Sequence, residues 1–140
     1  MDNCERLKYN IFGAKLHYGR ISPPAGHIAE IFYITEHTDD PDFIEKDALQ
    51  MLMQTGFSSF HFYGEKKGAW YSAFNAVSRK LNAGESTAPL YFYENLSEFA
   101  AELERAKYIK SFVPCDYYLI YDDQAVYEEI KKELQLDYEI

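Results

Sequence analysis

Acidic side chains stand where most of the predicted strands end, and tyrosines occupy the last positions of three of those strands. The acids that follow strands are Glu36, Glu65, Glu94, Asp122 and Asp123, and the tyrosines are Tyr63, Tyr93 and Tyr121. The connection after the first of these strands adds Asp39, Asp40 and Asp42. In open α/β sheets, ligands bind beyond the carboxyl ends of the strands. If the strands run parallel, we expect a rim of carboxylates above a ledge of tyrosines at one edge of the sheet.

This rim has three interpretations, and the sequence leaves all of them open. The first needs no function, because each acid also precedes a predicted helix and a carboxylate there stabilises the helix by about 0.3–1 kcal/mol. Tyrosine is in addition a good strand former. The second interpretation is a surface for a basic partner protein. The third is a divalent-metal site, since Mg²⁺ needs only one or two carboxylates together with waters or phosphates.

The remaining chemically active side chains form no recognisable catalytic motif. The four histidines lack metal-ligand spacing; they are His17, His27, His37 and His61. Cys115 follows a proline and has no motif that pairs it with a histidine. The chain contains no G-x-S-x-G, G-x-G-x-x-G or H-E-x-x-H pattern. We therefore assign no catalytic residue, no metal ligand and no cofactor.

One short stretch resembles a known family. Tyr63-Gly64-Glu65, followed by Trp70, resembles a tyrosine-glycine-acid stretch with a later tryptophan in barstar-like ribonuclease inhibitors. Those proteins are also small, acidic and α/β. The resemblance is confined to residues 63–70, and here the stretch ends a predicted strand, which departs from the family pattern. We assign no family from it.

The elements that must position the acids alternate in the order β-β-α-β-α-β-α-β-α. Residues 15–21 and 27–35 are predicted to form an antiparallel hairpin around a Pro-Pro-Ala-Gly turn, and further strands are predicted over 57–63, 88–93 and 117–121. Asp40, Asn95 and either Asp122 or Asp123 are predicted helix caps. This alternation predicts an α/β or α+β domain in which a mixed five-stranded sheet packs against about four helices.

Apolar spacing along these elements predicts the core. The side chains expected to be buried, because each lies on an apolar helix stripe or at mid-strand, are Trp70, Phe74, Phe99, Leu103, Leu119 and Ile130.

Length and composition restrict the class of protein. The 140 residues suit one domain over 1–140, with residues 1–10 as a mobile N-terminal segment. A hydrophobic fraction of 47% and an aromatic fraction of 17% argue against disorder. The net charge of −9 repels nucleic acid and anionic membranes, so we expect direct contact with neither. Two cysteines outside a C-x-x-C pair, with no signal peptide or long apolar run, indicate the cytoplasm.

Together these features predict a small, acidic, tyrosine-rich binding or inhibitor-type protein that engages a basic partner protein. Immunity and anti-defence proteins have this profile, because carboxylates compete for surfaces that normally hold nucleic acid. Two alternatives stay open. One is a divalent-metal-dependent enzyme that uses the strand-end carboxylates, and the other is a structural subunit of a homo-oligomer.

Overall fold

The described part of the chain contains six strands and four helices, and from the third strand onward strands and helices alternate. The computed structural model describes residues 4–8, 10–16, 21, 24–54, 56–82, 88–105 and 114–134. The strands are β1 (Cys4–Lys8), β2 (Ile11–Lys15), β3 (Ile28–Ile34), β4 (Phe57–Tyr63), β5 (Leu90–Tyr93) and β6 (Cys115–Tyr121). The helices are α1 (Pro41–Leu52), α2 (Lys67–Asn82), α3 (Leu96–Glu104) and α4 (Gln124–Glu133). Within these ranges, no helix is long and apolar enough to cross a membrane.

The strands form one mixed sheet in the order β1-β2-β6-β3-β4-β5. Only the β1–β2 pair is antiparallel; β2, β6, β3, β4 and β5 run parallel to one another. The prediction of a single α/β domain with a mixed sheet and four helices is therefore confirmed. The sheet has six strands instead of five, because β1 adds an edge strand whose Glu5 and Arg6 are exposed and give no apolar signal.

The predicted hairpin between the first two strands is wrong. The first of them is β2, which ends at Lys15 instead of beginning there, and residues 17–20 lie outside the described part of the chain. β6 lies between β2 and β3 and pairs with both in parallel. β3 is apolar on both faces because it is a central strand, with the distant β6 on one side and β4, the next strand along the chain, on the other.

Local capping residues start three of the helices as predicted. The backbone N–H of Phe43 donates to the Asp40 carboxylate (3.1 Å), and that of Glu98 donates to the Asn95 side chain (2.9 Å). Asp123 caps α4. These caps fix where the chain leaves the sheet edge and turns back across a face.

The helices divide between the two faces of the sheet. Helices α1 and α2 cover one face, where Trp70 and Phe74 are fully buried, and α3 and α4 cover the other, where Phe99, Leu103 and Ile130 are fully buried. Leu119, the sixth residue predicted to lie in the core, is buried as well. β3 and β6 are neighbours, yet the helices that follow them lie on opposite faces. In parallel sheets, such a reversal opens a crevice beyond the carboxyl ends of the two strands.

Candidate binding surface at the carboxyl edge

The parallel strands bring the predicted acids to one edge of the sheet. β3, β4, β5 and β6 run in the same direction, so the residues after them share an edge. We call this surface the acidic edge. Its acids are Glu36, Asp39, Asp40, Glu65, Glu94, Asp122 and Asp123. The alignment follows from the topology, but the individual acids have different roles.

Asp122 holds the connection between β3 and α1 in place. Its carboxylate accepts hydrogen bonds from the backbone N–H groups of Glu36 (2.8 Å), His37 (3.0 Å) and Thr38 (2.8 Å). The Thr38 carbonyl in turn accepts a hydrogen bond from the Trp70 indole N–H (2.8 Å). Asp122 therefore ties the residues that follow β3 to the end of β6, across the crevice between the two strands.

Asp123 combines helix capping with an ion pair. Its carboxylate accepts the backbone N–H of Val126 (2.9 Å) and lies 2.6 Å from Nε2 of His37. The hydrogen bonds from Val126 and His37 lower the pKa of Asp123. The bond to Asp123 raises the pKa of His37, whose side chain is 66% exposed. The two residues are 86 positions apart, so no sequence spacing could have indicated the pair.

Glu36 is the acid of this edge whose pKa is raised by burial and by the neighbouring carboxylates. Partial burial raises its pKa, and the carboxylates of Glu65, Asp123 and Asp122 raise it further. The backbone N–H of Glu65 offsets part of this effect by hydrogen bonding to the carboxylate. The arrangement disfavours negative charge on Glu36 unless a cation approaches.

The outer acids are exposed and only weakly paired. Glu65 is exposed without an ordered ion pair among the described residues. The Asp39 carboxylate lies 3.2 Å from Nζ of Lys66, and the Glu94 carboxylate lies 3.7 Å from Nζ of Lys67. The Asp39 and Glu94 side chains are 58% and 72% exposed, so solvent screens both pairs. Asp40 is exposed as well and caps α1.

The three tyrosines pack beneath helices and do not form an exposed ledge on the edge. The rings of Tyr63 and Tyr93 lie 5.4 and 5.5 Å from the ring of Phe99 on α3. The ring of Tyr121 stacks on that of Tyr127 at 3.8 Å. The alternation of side chains along a strand turns all three toward the face that α3 and α4 cover. Their contacts indicate packing beneath the acidic edge.

A buried polar network on the same face was not predicted. The Ser59 hydroxyl donates to the Glu30 carboxylate (3.0 Å) and lies 2.8 Å from Nε2 of His61. Nδ1 of His61 lies 2.7 Å from the Tyr93 hydroxyl, and its ring stacks on Phe32 at 4.0 Å. The signal in the sequence was weak. Ser59 and His61 alternate with phenylalanines in β4, which puts both on one face, but the partner Glu30 comes from β3.

This network predicts a pH-dependent contribution to stability from Glu30. Burial alone would raise the pKa of Glu30, but hydrogen bonds from His61 and Ser59 lower it below its ordinary value overall. A carboxylate with a lowered pKa in the folded state stabilises the fold above its unfolded pKa of about 4.3, and this contribution disappears as the pH falls through the folded pKa. Urea unfolding of wild type and Glu30→Gln should therefore differ most near pH 6 and converge below about pH 4. A difference that grows on acidification would contradict the assignment.

The described residues contain no group of three or more His, Cys, Asp or Glu side chains placed to hold a metal ion. The fold and the edge define a single-domain, mostly parallel α/β protein with an acidic carboxyl edge. Comparison with protein-family models, with curated proteins and with solved structures found no match. The proposals that follow are based on geometry and charge.

Proposed function

We propose that this is a binding or inhibitor-type protein whose acidic edge engages a basic partner protein. The observation that carries the proposal is the convergence of Glu36, Glu65, Asp122 and Asp123 at one edge, where burial raises the pKa of Glu36 and the three neighbouring carboxylates raise it further. A lysine or arginine of a partner would relieve that repulsion on binding, and an arginine would also offer its donors to two carboxylate oxygens at once. The edge therefore favours a cationic ligand.

Preorganisation supports a protein partner. The hydrogen bonds to Asp122 and the caps at Asp40 and Asp123 fix the backbone of the edge before any partner arrives, which lowers the entropy cost of binding. The exposed acids Glu65 and Glu94 lie on neighbouring connections. A net charge of −9 attracts basic proteins at long range. A partner whose basic surface normally binds nucleic acid fits this description, as in immunity and anti-defence systems.

Charge-neutral variants test the proposal. Affinity capture followed by measurement of Kd for the purified partner should show that Glu65→Gln combined with Glu94→Gln weakens binding at least about tenfold. The matched control is Glu129→Gln combined with Glu133→Gln, which makes the same charge change on exposed positions of α4, away from the edge. Association of the wild type should also slow as salt rises from about 50 to 500 mM. Equal loss in both double variants, or a captured partner without a basic surface, would contradict the proposal.

A further inference from the structure

An apolar groove runs between α1 and α2 on the outer surface of the domain. It consists of two adjoining cavities of about 240 and 440 Å³, which share Glu45, Val77 and Lys80 in their walls. Leu49 and Leu81, in the larger cavity, remain 41% and 42% exposed although both are large and apolar. The groove begins next to the acidic edge, because both helices follow strands that end there.

The shape of the groove suits a helix. From Pro41 to Leu49 it extends about 12 Å, or roughly two helical turns. The backbone groups along its walls are already bonded within α1 and α2, so an extended segment would find no partners for its own N–H and C=O groups there. A helix bonds its own backbone internally. Ala69, Ala73 and Ala76 line the α2 side and leave room for the side-chain ridge of an incoming helix.

The charges along the groove indicate what kind of helix would bind there and in which direction that helix would run. Asp39 and Asp42 lie toward the acidic edge. Farther along the groove, the Glu45 carboxylate lies 3.9 Å from Nζ of Lys80, and Lys46 follows it on α1. The N-termini of α1 and α2, which carry partial positive charge, also point to the acidic edge. A third helix that runs antiparallel to them places its C-terminal turn there. Basic residues in that last turn then meet Asp39 and Asp42.

From this arrangement we propose that the groove between α1 and α2 binds an amphipathic helix of the basic partner. The helix runs antiparallel to α1 and α2, its leucine-like stripe contacts Leu49, Val77 and Leu81, and its basic last turn lies against Asp39 and Asp42. The inference depends on the proposed function, because it names the part of a basic partner that continues from the acidic edge onto the helices.

A designed peptide tests the groove directly. The probe is an amphipathic helical peptide of about 16 residues, with leucines at every third or fourth position, glutamates in the first turn and arginines in the last turn. Fluorescence anisotropy should show that Leu49→Asp and Leu81→Asp each weaken its binding at least about tenfold. In the proposed orientation both added carboxylates lie toward the glutamate end of the probe, so the uncharged variants Leu49→Asn and Leu81→Asn should weaken its binding as well. A loss confined to the Asp variants would come from charge repulsion and would overturn the apolar contact. The control Ala101→Asp adds the same charge at an exposed position of α3 and should change Kd less than about twofold. Thermal melting confirms that each variant is folded.

Further peptides distinguish a wrong assignment of the groove from a wrong assignment of the acidic edge. A second peptide keeps the charges and replaces the leucines with serines; it should bind more weakly, and Glu65→Gln with Glu94→Gln should weaken it further. Equal affinity of the two peptides would contradict binding in the groove and would leave the proposed function unaffected. Failure of both at low salt would overturn the proposed function too. Equal affinity for a peptide with arginines first and glutamates last would overturn the direction. A dimer in sedimentation equilibrium that Leu49→Asp dissociates would assign the groove to a second copy of this chain and overturn the partner helix.

Discussion

Replacing Gly64 with alanine should destabilise the protein by about 3 kcal/mol or more, through backbone strain and overpacking together. Gly64 adopts φ +126°, a backbone conformation that L residues rarely accept. A Cβ there would lie 2.5 Å from the Thr35 carbonyl oxygen and 2.7 Å from its carbon. That carbonyl cannot move easily, because it accepts the backbone N–H of Lys66 (2.8 Å) while the Thr35 N–H donates to Tyr63 (2.8 Å). The substitution therefore separates the ends of β3 and β4 beside the acidic edge.

Two other glycines are controls for Gly64→Ala in urea unfolding. Gly26 also has a positive φ, of +84°, but no atom lies within 4 Å of a Cβ built there, so Gly26→Ala reports the conformational cost alone. Gly68 lies in α2 without a positive φ and with open space around it, and Gly68→Ala should be neutral or slightly stabilising. Similar losses for Gly64→Ala and Gly26→Ala would show that the contact with Thr35 contributes nothing.

Local signals in the sequence predicted the helix starts and the core. Asp40 and Asn95 cap helices through neighbours three positions away, so the capping pattern alone contains the information. Trp70 and Leu103 lie on apolar stripes and are fully buried. The alternation of strands and helices also predicted that the acids would reach one edge, because right-handed crossovers between neighbouring strands make those strands parallel.

The order of the strands could not be predicted in the same way. The position of β6 between β2 and β3 depends on pairing across 106 residues to β2 and 87 residues to β3, and a residue pattern in one strand does not identify its neighbour. The same applies within the site. Because Asp122 and Glu94 both follow a strand, the sequence predicted the same role for each. In the structure, Asp122 accepts hydrogen bonds from three distant N–H groups, whereas Glu94 is exposed. For Tyr63, the pattern gave its place at the strand end but not the face toward which its side chain points.

Asp122 is the acid of the edge whose removal should cost most. Asp122→Ala removes a carboxylate that accepts hydrogen bonds from the N–H groups of Glu36, His37 and Thr38, and no other side chain within the described ranges accepts from them. Hydrogen bonds to a charged group are worth more than neutral ones, while water can replace part of the loss at the exposed His37 N–H. We expect a loss of about 2–4 kcal/mol in urea unfolding. The control Glu94→Ala removes an exposed acid whose ion pair with Lys67, at 3.7 Å, is screened by solvent. It should change the free energy of unfolding by less than about 0.5 kcal/mol.

Hydrogen exchange locates the effect of Asp122→Ala in the molecule. The amides of Glu36 and Thr38 should exchange faster in the variant, because within the described ranges their partly buried hydrogen bonds go to this carboxylate. The amide of Phe99, inside α3 on the far side of the connection, bonds the Asn95 carbonyl and should change only with global stability. If stability falls by less than about 1 kcal/mol and the Glu36 and Thr38 amides keep their protection, the connection keeps its structure without the carboxylate. In that case the β3–α1 connection would be held by the Trp70–Thr38 hydrogen bond, and the preorganised edge would depend on the indole instead of on Asp122.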